Sequence, residues 1–227
     1  MKEKLKDKIS KLSTCGRIIG HEDFRNAAVL ILLYKKEGKY HFLFEKRSEK
    51  VRQPGEISFP GGLIDKGETV VETALRETHE ELGISSDKIE VLGDIGLLYS
   101  PLGATVAGVV GLTQIDSIKE IKLSKDEVDH IFSVPVEYFL NNEPQEYEVL
   151  LHAHSHYIDD KGKRVELLPV KELGLPKMYE DSWGLGKPKV LVYKWKDEII
   201  WGLTARFVKE VVGMLDPGLT TSSTTVC

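Results

Sequence analysis

Between Phe59 and Ile84 the chain reads FPGGLIDKGETVVETALRETHEELGI, a glycine pair followed by a helix whose two ends are written into it. Glu68 and Thr69 supply the chemistry of a helix start, and Gly83 supplies a stop. At about 100° per residue, Val71, Ala74, Leu75, Thr78 and Leu82 gather in one stripe, the pattern of a helix lying on a core. Glu77, Glu80 and Glu81 centre about 130° from that stripe, so the helix is expected to bury one side and present acid on another. At i, i+3 and i+4 each like-charge pair costs roughly 0.2 to 0.5 kcal/mol. Some counter-charge has to offset that repulsion.

A hard divalent cation, Mg2+ or Mn2+, suits the task because it takes oxygen ligands and pairs with substrate phosphates. The Gly61-Gly62 pair lets the backbone come close, and the Gly61 carbonyl is a candidate further ligand. A solvated acidic face is the plain alternative.

The flanking sequence reads as alternating strands and helices. Ala27 to Tyr34 (AAVLILLY) suits a strand buried on both faces, KKEGK a turn, and Tyr40 to Phe44 the returning strand. Lys46 to Gly62 reads as a long polar loop. Ile89 to Tyr99 and Thr105 to Ile115 read as strands, Val136 to Leu140 as a helical turn after Pro135, and Glu146 to Tyr157 as one more strand. Val190 to Trp195 and an amphipathic helix near Thr204 to Leu215 close the pattern, and residues 2 to 13 suit a short polar helix.

A length of 227 residues favours one elaborated domain. A formal charge of −5 argues against a nucleic-acid partner, so any polyanionic substrate must meet local cations. The two cysteines, Cys15 and Cys227, are too few for a disulfide scaffold and favour a reducing interior. MKEKLKDKISKL lacks the apolar run of a signal peptide, no segment has the apolar length of a membrane span, and the last-residue cysteine does not fit prenylation. The expectation is a cytoplasmic protein with a small-molecule substrate, no membrane and an open oligomeric state.

Gly62, five residues, Glu68, seven residues, then Arg76-Glu77-Thr78-His79-Glu80-Glu81-Leu82-Gly83-Ile84 resembles the signature of the Nudix hydrolase family. Thr78 departs from it, standing where the family usually has an aliphatic residue. The resemblance implies an α/β class fold, an α/β/α sandwich around a mixed β-sheet. It implies Glu77, Glu80 and Glu81 as catalytic metal ligands for Mg2+ or Mn2+, with Glu68 and Arg76 bracing loop and helix as a salt bridge and Gly62 supporting the turn. The reaction implied is attack of metal-activated water on a nucleoside diphosphate linked to another group. The domain is expected over 23–216, after a polar helical segment over 1–22 and before a flexible tail over 217–227.

Upstream, FLFEKRSEKVRQPGEISFPGG is similar to a second signature, that of the coenzyme A pyrophosphatase branch, through Arg47-Ser48, Arg52, Gly55 and Phe59-Pro60-Gly61-Gly62. Two residues separate Arg52 from Gly55 where that pattern usually has three. The segment IIWGLTARFVKEVV also looks like the closing helix of such proteins. The branch implies coenzyme A or its esters as substrate, with 4′-phosphopantetheine and adenosine 3′,5′-bisphosphate as products. Arg47 and Arg52 are then candidate phosphate binders, Arg47 the better placed to read the ribose phosphate. ADP-ribose, a dinucleotide, or a module that senses a nucleotide without cutting it are the alternatives. Glu127 is the candidate base by position, with a helix-start carboxylate as the other reading. His152, His154 and His156 alternate onto one face of a strand and suit a polar surface better than a metal site, His79 is expected in solvent, and Trp183, Trp195 and Trp201 suit packing better than stacking on adenine.

Overall fold

The computed structural model describes residues 20–215 except 102 and 116. The expected helix over 2–13, both cysteines and the tail over 217–227 lie outside the described residues.

Strands β1 (Arg25–Lys36) and β2 (Lys39–Arg47) form the expected hairpin. Glu37 and Gly38 turn it at φ 51° and 81°, the two-residue geometry that matches strand twist. With β3 (Ile57–Ser58), β4 (Gly61–Leu63), β5 (Ile89–Ser100), β6 (Ala104–Thr113) and β7 (Val128–Pro135) they make a seven-stranded sheet. Its order is β3-β2-β1-β6-β5, with β4 added to β1 and β7 to β2. The pairing of β1 with β6 is parallel and the remaining pairs are antiparallel, so the sheet is mixed.

The period of two along β1 divides the core. Ala28, Leu30, Leu32 and Tyr34 face helix α1 (Val70–Leu82) and its Ala74 and Leu82. Ile31 and Leu33 face the opposite layer, where Phe139 of α2 (Val136–Leu140) and Phe207, Val208 and Val211 of α3 (Gly202–Leu215) cover the sheet. The result is the α/β/α sandwich. Outside it, β8 (Gln145–Glu148), β13 (Lys189–Trp195) and β14 (Glu198–Trp201) form a small antiparallel sheet on α3. Strands β9 (Leu151–His154) and β12 (Ser182–Gly186) pair with each other, as do β10 (His156–Ile158) and β11 (Arg164–Glu166). No helix among the described residues is long and apolar enough to cross a membrane.

Helix α1 has the ends the sequence announces. The Thr69 hydroxyl accepts from the Glu72 N–H at 3.2 Å, the Glu72 carboxylate accepts from the Thr69 N–H at 2.8 Å, and Gly83 turns off at φ 67°. Thr78 is fully buried, and its hydroxyl donates to the Ala74 carbonyl at 2.7 Å, so it carries no unmet polar group. Thr78→Val should therefore change stability by less than about 1 kcal/mol in a urea melt. A larger loss would show that this hydroxyl bond holds the helix.

Three expectations are corrected, and one strand is added. The Lys46 to Gly62 loop is shorter than read, because β2 runs to Arg47 and β3 and β4 occupy part of the remainder. The single strand over Glu146 to Tyr157 is three, β8, β9 and β10, which places His152 and His154 on β9 and His156 on β10. Strand β7 was not foreseen, since Asp129 and His130 break its apolar pattern, yet it pairs along β2 from His41 to Arg47. The acid of α1 is not all presented outward, as Glu81 is buried against the sheet.

Candidate active site

The chain enters the site through Pro60, whose carbonyl accepts from the Leu30 N–H at 2.8 Å and seats β4 on β1. Both glycines that follow are required by what they face. A Cβ on Gly61 would lie 2.3 Å from the Ala28 carbonyl oxygen and 2.7 Å from the Val29 Cα, and one on Gly62 would lie 2.3 Å from Glu77 Oε1. The Gly61 N–H donates to Glu81 Oε2 at 2.9 Å, fixing the first carboxylate.

Arg76 is the hub of the outer face. Its Nε donates to Glu68 Oε1 at 2.8 Å and its Nη2 to Glu68 Oε2 at 3.0 Å, a forked pair that ties the loop to α1. Its Nη1 reaches Glu77 at 2.7 Å and Glu80 at 3.2 Å, and Nη2 also meets the Leu63 carbonyl at 3.2 Å. Hydrogen bonds from Arg76 and then from Thr73 hold the Glu68 carboxyl down to about 2. Glu77, half-buried, is pushed up by burial, with Arg76 opposing. Part of the repulsion among the three glutamates is thus met by Arg76 rather than by an ion.

Glu81 has no ion pair among the described residues, only the Gly61 N–H and the more distant charge of Arg47. It is 5% exposed, and burial followed by the neighbouring Glu45 pushes its carboxyl well above the usual range. Glu45, on β2 and 1% exposed, is pushed up to about 7 by burial. Ser58 donates to Glu45 Oε1 at 3.1 Å, while Oε2 has no hydrogen-bond partner among the described residues. Sequence reading missed Glu45. The signal was there: it follows Leu43 at period two, on the strand face that packs under α1.

Arg47 is the cation whose charge acts on Glu45, Glu56 and Glu81. Its Nε donates to the Arg52 carbonyl at 3.0 Å. Arg52 itself is exposed, and in the turn that leads to Gly55, Gln53 takes φ 57° and Gly55 φ 73°. The structure brings Arg47 to the carboxylates and leaves the Arg52 side chain outside. Glu127 is exposed, and its charge acts on both Glu45 and Glu77. It precedes strand β7 rather than a helix, so the helix-start reading falls.

Among the described residues no three histidine, cysteine or acidic side chains are arranged to hold a metal ion. The donors nevertheless fit a hard divalent cation: Glu45, Glu77, Glu80 and Glu81 offer oxygen alone, and a buried Glu45 oxygen stands without a partner. Beside Gly61 and Gly62 opens a cavity of about 580 Å³ that Arg47 also lines. A groove of about 670 Å³ near Tyr40 and Leu140 holds none of these residues. His79, His152 and His154 are exposed, and Trp183 and Trp195 pack edge-on against Tyr179 and Tyr138.

The chain is 36% identical to the peroxisomal coenzyme A diphosphatase NUDT7 of Mus musculus over 137 residues, 60% of this chain and 56% of that one. It is 37% identical to the mitochondrial coenzyme A diphosphatase NUDT8 of Homo sapiens over 126 residues, 54% of this chain and 53% of that one. The chain spans little more than half the length of these relatives. An uncharacterized Nudix hydrolase, NudL of Photorhabdus laumondii, is 31% identical over 189 residues, 82% of this chain and 83% of that one. A family model described as the NUDIX domain matches residues 24–184, which include every carboxylate, arginine and glycine of the site. With that match over most of its length, the chain belongs to the Nudix hydrolase family.

Proposed function

We propose that the chain is a pyrophosphohydrolase that cuts the diphosphate of coenzyme A or acyl-coenzyme A, yielding 4′-phosphopantetheine, or its acyl form, and adenosine 3′,5′-bisphosphate. One observation carries the reading. Two buried carboxylates, Glu45 and Glu81, repel each other, Glu81 is bonded to the Gly61 N–H, and that glycine turn lines a cavity together with Arg47. A fold keeps such a pair where function needs concentrated negative charge. The coenzyme A part is supported by the designations of two relatives and by the Arg47-Ser48, Gly55 and Phe59 to Gly62 pattern.

Nudix hydrolases generally use divalent metal ions, and Glu77, Glu80 and Glu81, with Gly61 adjoining, are the residues we assign to hold Mg2+ or Mn2+. When bound, such an ion activates water and neutralises diphosphate charge. The chain's own residues do the remainder. Arg47 orients the diphosphate, Glu127 takes the proton of the attacking water, and Glu68 with Arg76 holds α1 against the loop while Gly62 leaves room for Glu77. The hydrolase domain we assign spans 23–216, and we place it in the cytoplasm, although the two relatives are designated peroxisomal and mitochondrial.

The test is turnover with Mg2+ or Mn2+ on coenzyme A, an acyl ester, ADP-ribose and a dinucleotide. Coenzyme A and its ester should give the highest kcat/KM. Faster cleavage of ADP-ribose or the dinucleotide would move the reading to another nucleoside diphosphate, and binding without cleavage would make the chain a sensor. Glu127→Gln should lower kcat about ten- to a hundredfold with little change in KM and should alter the acid limb of the pH profile. An unchanged acid limb would remove Glu127 as the base.

A further inference from the structure

The cavity beside Gly61 and Gly62 extends well beyond them. Arg25, Ala27 and Val29 alternate onto one face of β1, and all three line it. Val29 pairs with Gly61, whereas Arg25 pairs with Ala104 at the start of the strand. Four residues at about 3.3 Å each separate those positions by roughly 13 Å. Helix α3 contributes Arg206 to the lining and β13 contributes Lys189.

The charge of this lining runs against that of the chain. Arg25, Arg47, Lys189 and Arg206 line it with Glu56 as the one carboxylate, in a protein whose net charge is −5. Lys189 is held by Glu146 at 2.7 Å. Arg25 and Arg206 have no carboxylate partner among the described residues, and Arg206 lies close enough to Lys189 for their charges to repel. Unpaired guanidinium groups along a largely apolar wall focus a positive field into the cavity. Their fork geometry suits a phosphate dianion. The exposed rings of Tyr99 and Trp201, on the same lining, offer faces to a purine.

We propose that Arg25 and Arg206 form a second anion pole of this cavity, which binds a phosphomonoester on the ribose of the substrate, away from the diphosphate being cut. The proposal rests on the pyrophosphohydrolase reading and assigns its substrate specificity. It moves to Arg25 and Arg206 the ribose-phosphate role expected of Arg47, and so divides the labour between the arginines. Arg47, beside the carboxylates, serves the diphosphate that every candidate substrate carries, while Arg25 and Arg206 serve the phosphate that coenzyme A carries and dephospho-coenzyme A lacks.

Calorimetry of the metal-free protein tests the pole without turnover, using adenosine 3′,5′-bisphosphate and AMP as probes. The bisphosphate should bind about ten- to a hundredfold more tightly than AMP. Arg25→Ala and Arg206→Ala should each shrink that ratio, and the double variant should bring it near one. Both side chains are exposed, so a melting curve should show the variants folded. Equal affinities in the unmodified protein, no detectable bisphosphate binding, or a ratio unchanged in the double variant would overturn the proposal. Coenzyme A hydrolysis is measured separately. Cleavage with equal probe affinities defeats the second pole alone, and an intact probe ratio without cleavage defeats the hydrolase reading alone.

Discussion

Glu81→Gln should lower kcat by at least about a hundredfold, and up to about a thousandfold, while raising the Tm of the metal-free protein at neutral pH. On the proposed reading, the catalytic loss follows from removing one carboxylate of the set assigned to a cation, whose charge stabilisation is worth several kcal/mol. The stability gain follows from burial. Glu81 is 5% exposed and lies near Glu45, with no cation bonded to either among the described residues, and burial outweighs the charge of Arg47, so its charged form is disfavoured in the fold. Glutamine keeps an oxygen to accept the Gly61 N–H and carries no charge. Because both carboxyls are raised above their ordinary value of 4.5, the folded state holds protons that the unfolded chain has released. This contribution is fully present below about 4.5 and is lost as pH rises through neutrality. Metal-free protein should therefore melt lower near pH 8 than near pH 5, Glu81→Gln should flatten that slope, and added Mg2+ should restore the unmodified protein more than the variant. Glu80→Gln separates the two effects, because Glu80 is exposed and bonded to Arg76. Its turnover should fall by the same order with little change in metal-free Tm. A steep slope retained in Glu81→Gln, or near-normal turnover in both variants at limiting Mg2+, would sink the assignment.

How much of this was legible before the fold depends on whether each signal is local. The cap at Thr69, the stop at Gly83 and the hairpin turn at Glu37-Gly38 are decided by residues adjacent in sequence, and they stand where they were read. The forked bond of Arg76 to Glu68 also spans only eight positions. Strand β7 was not legible because its reason is distant: Asp129 and His130 interrupt its pattern, and pairing with β2 overrides propensity. Glu45 was passed over for the same reason. Its environment is made by α1 and β3, which arrive from other parts of the chain, and only the period of two after Leu43 hinted that it faces inward. Arg47 and Arg52 both fall in the segment read as a loop, and only the spacing to Gly55 favours Arg47. Extension of β2 through Arg47 turns one toward the carboxylates and leaves the other in solvent.

Gly61→Ala and Gly62→Ala should fail in opposite ways, although the residues are neighbours. A Cβ at 61 would sit 2.3 Å from the Ala28 carbonyl oxygen and 2.7 Å from the Val29 Cα, and neither backbone atom can swing aside. Strand β4 would have to separate from β1, carrying the Gly61 N–H away from Glu81. Such overpacking costs about 3 kcal/mol, which lowers Tm by roughly 6 to 12 °C in a domain of this size. A Cβ at 62 would meet instead the far end of Glu77, with Oε1 at 2.3 Å and Cδ at 2.4 Å. That side chain can rotate. The move breaks its 2.7 Å ion pair with Arg76, so stability should fall by only about 1 kcal/mol. Turnover should nevertheless fall at least about tenfold, because the carboxylate leaves the place the site holds for it. Thermal melts and steady-state kinetics on the two variants decide the matter. If Gly61→Ala melts with the unmodified protein, the close approach of β4 to β1 is not what fixes Glu81. If Gly62→Ala keeps full turnover, the room it leaves for Glu77 has no part in the chemistry, and Glu77 leaves the set proposed to hold the cation.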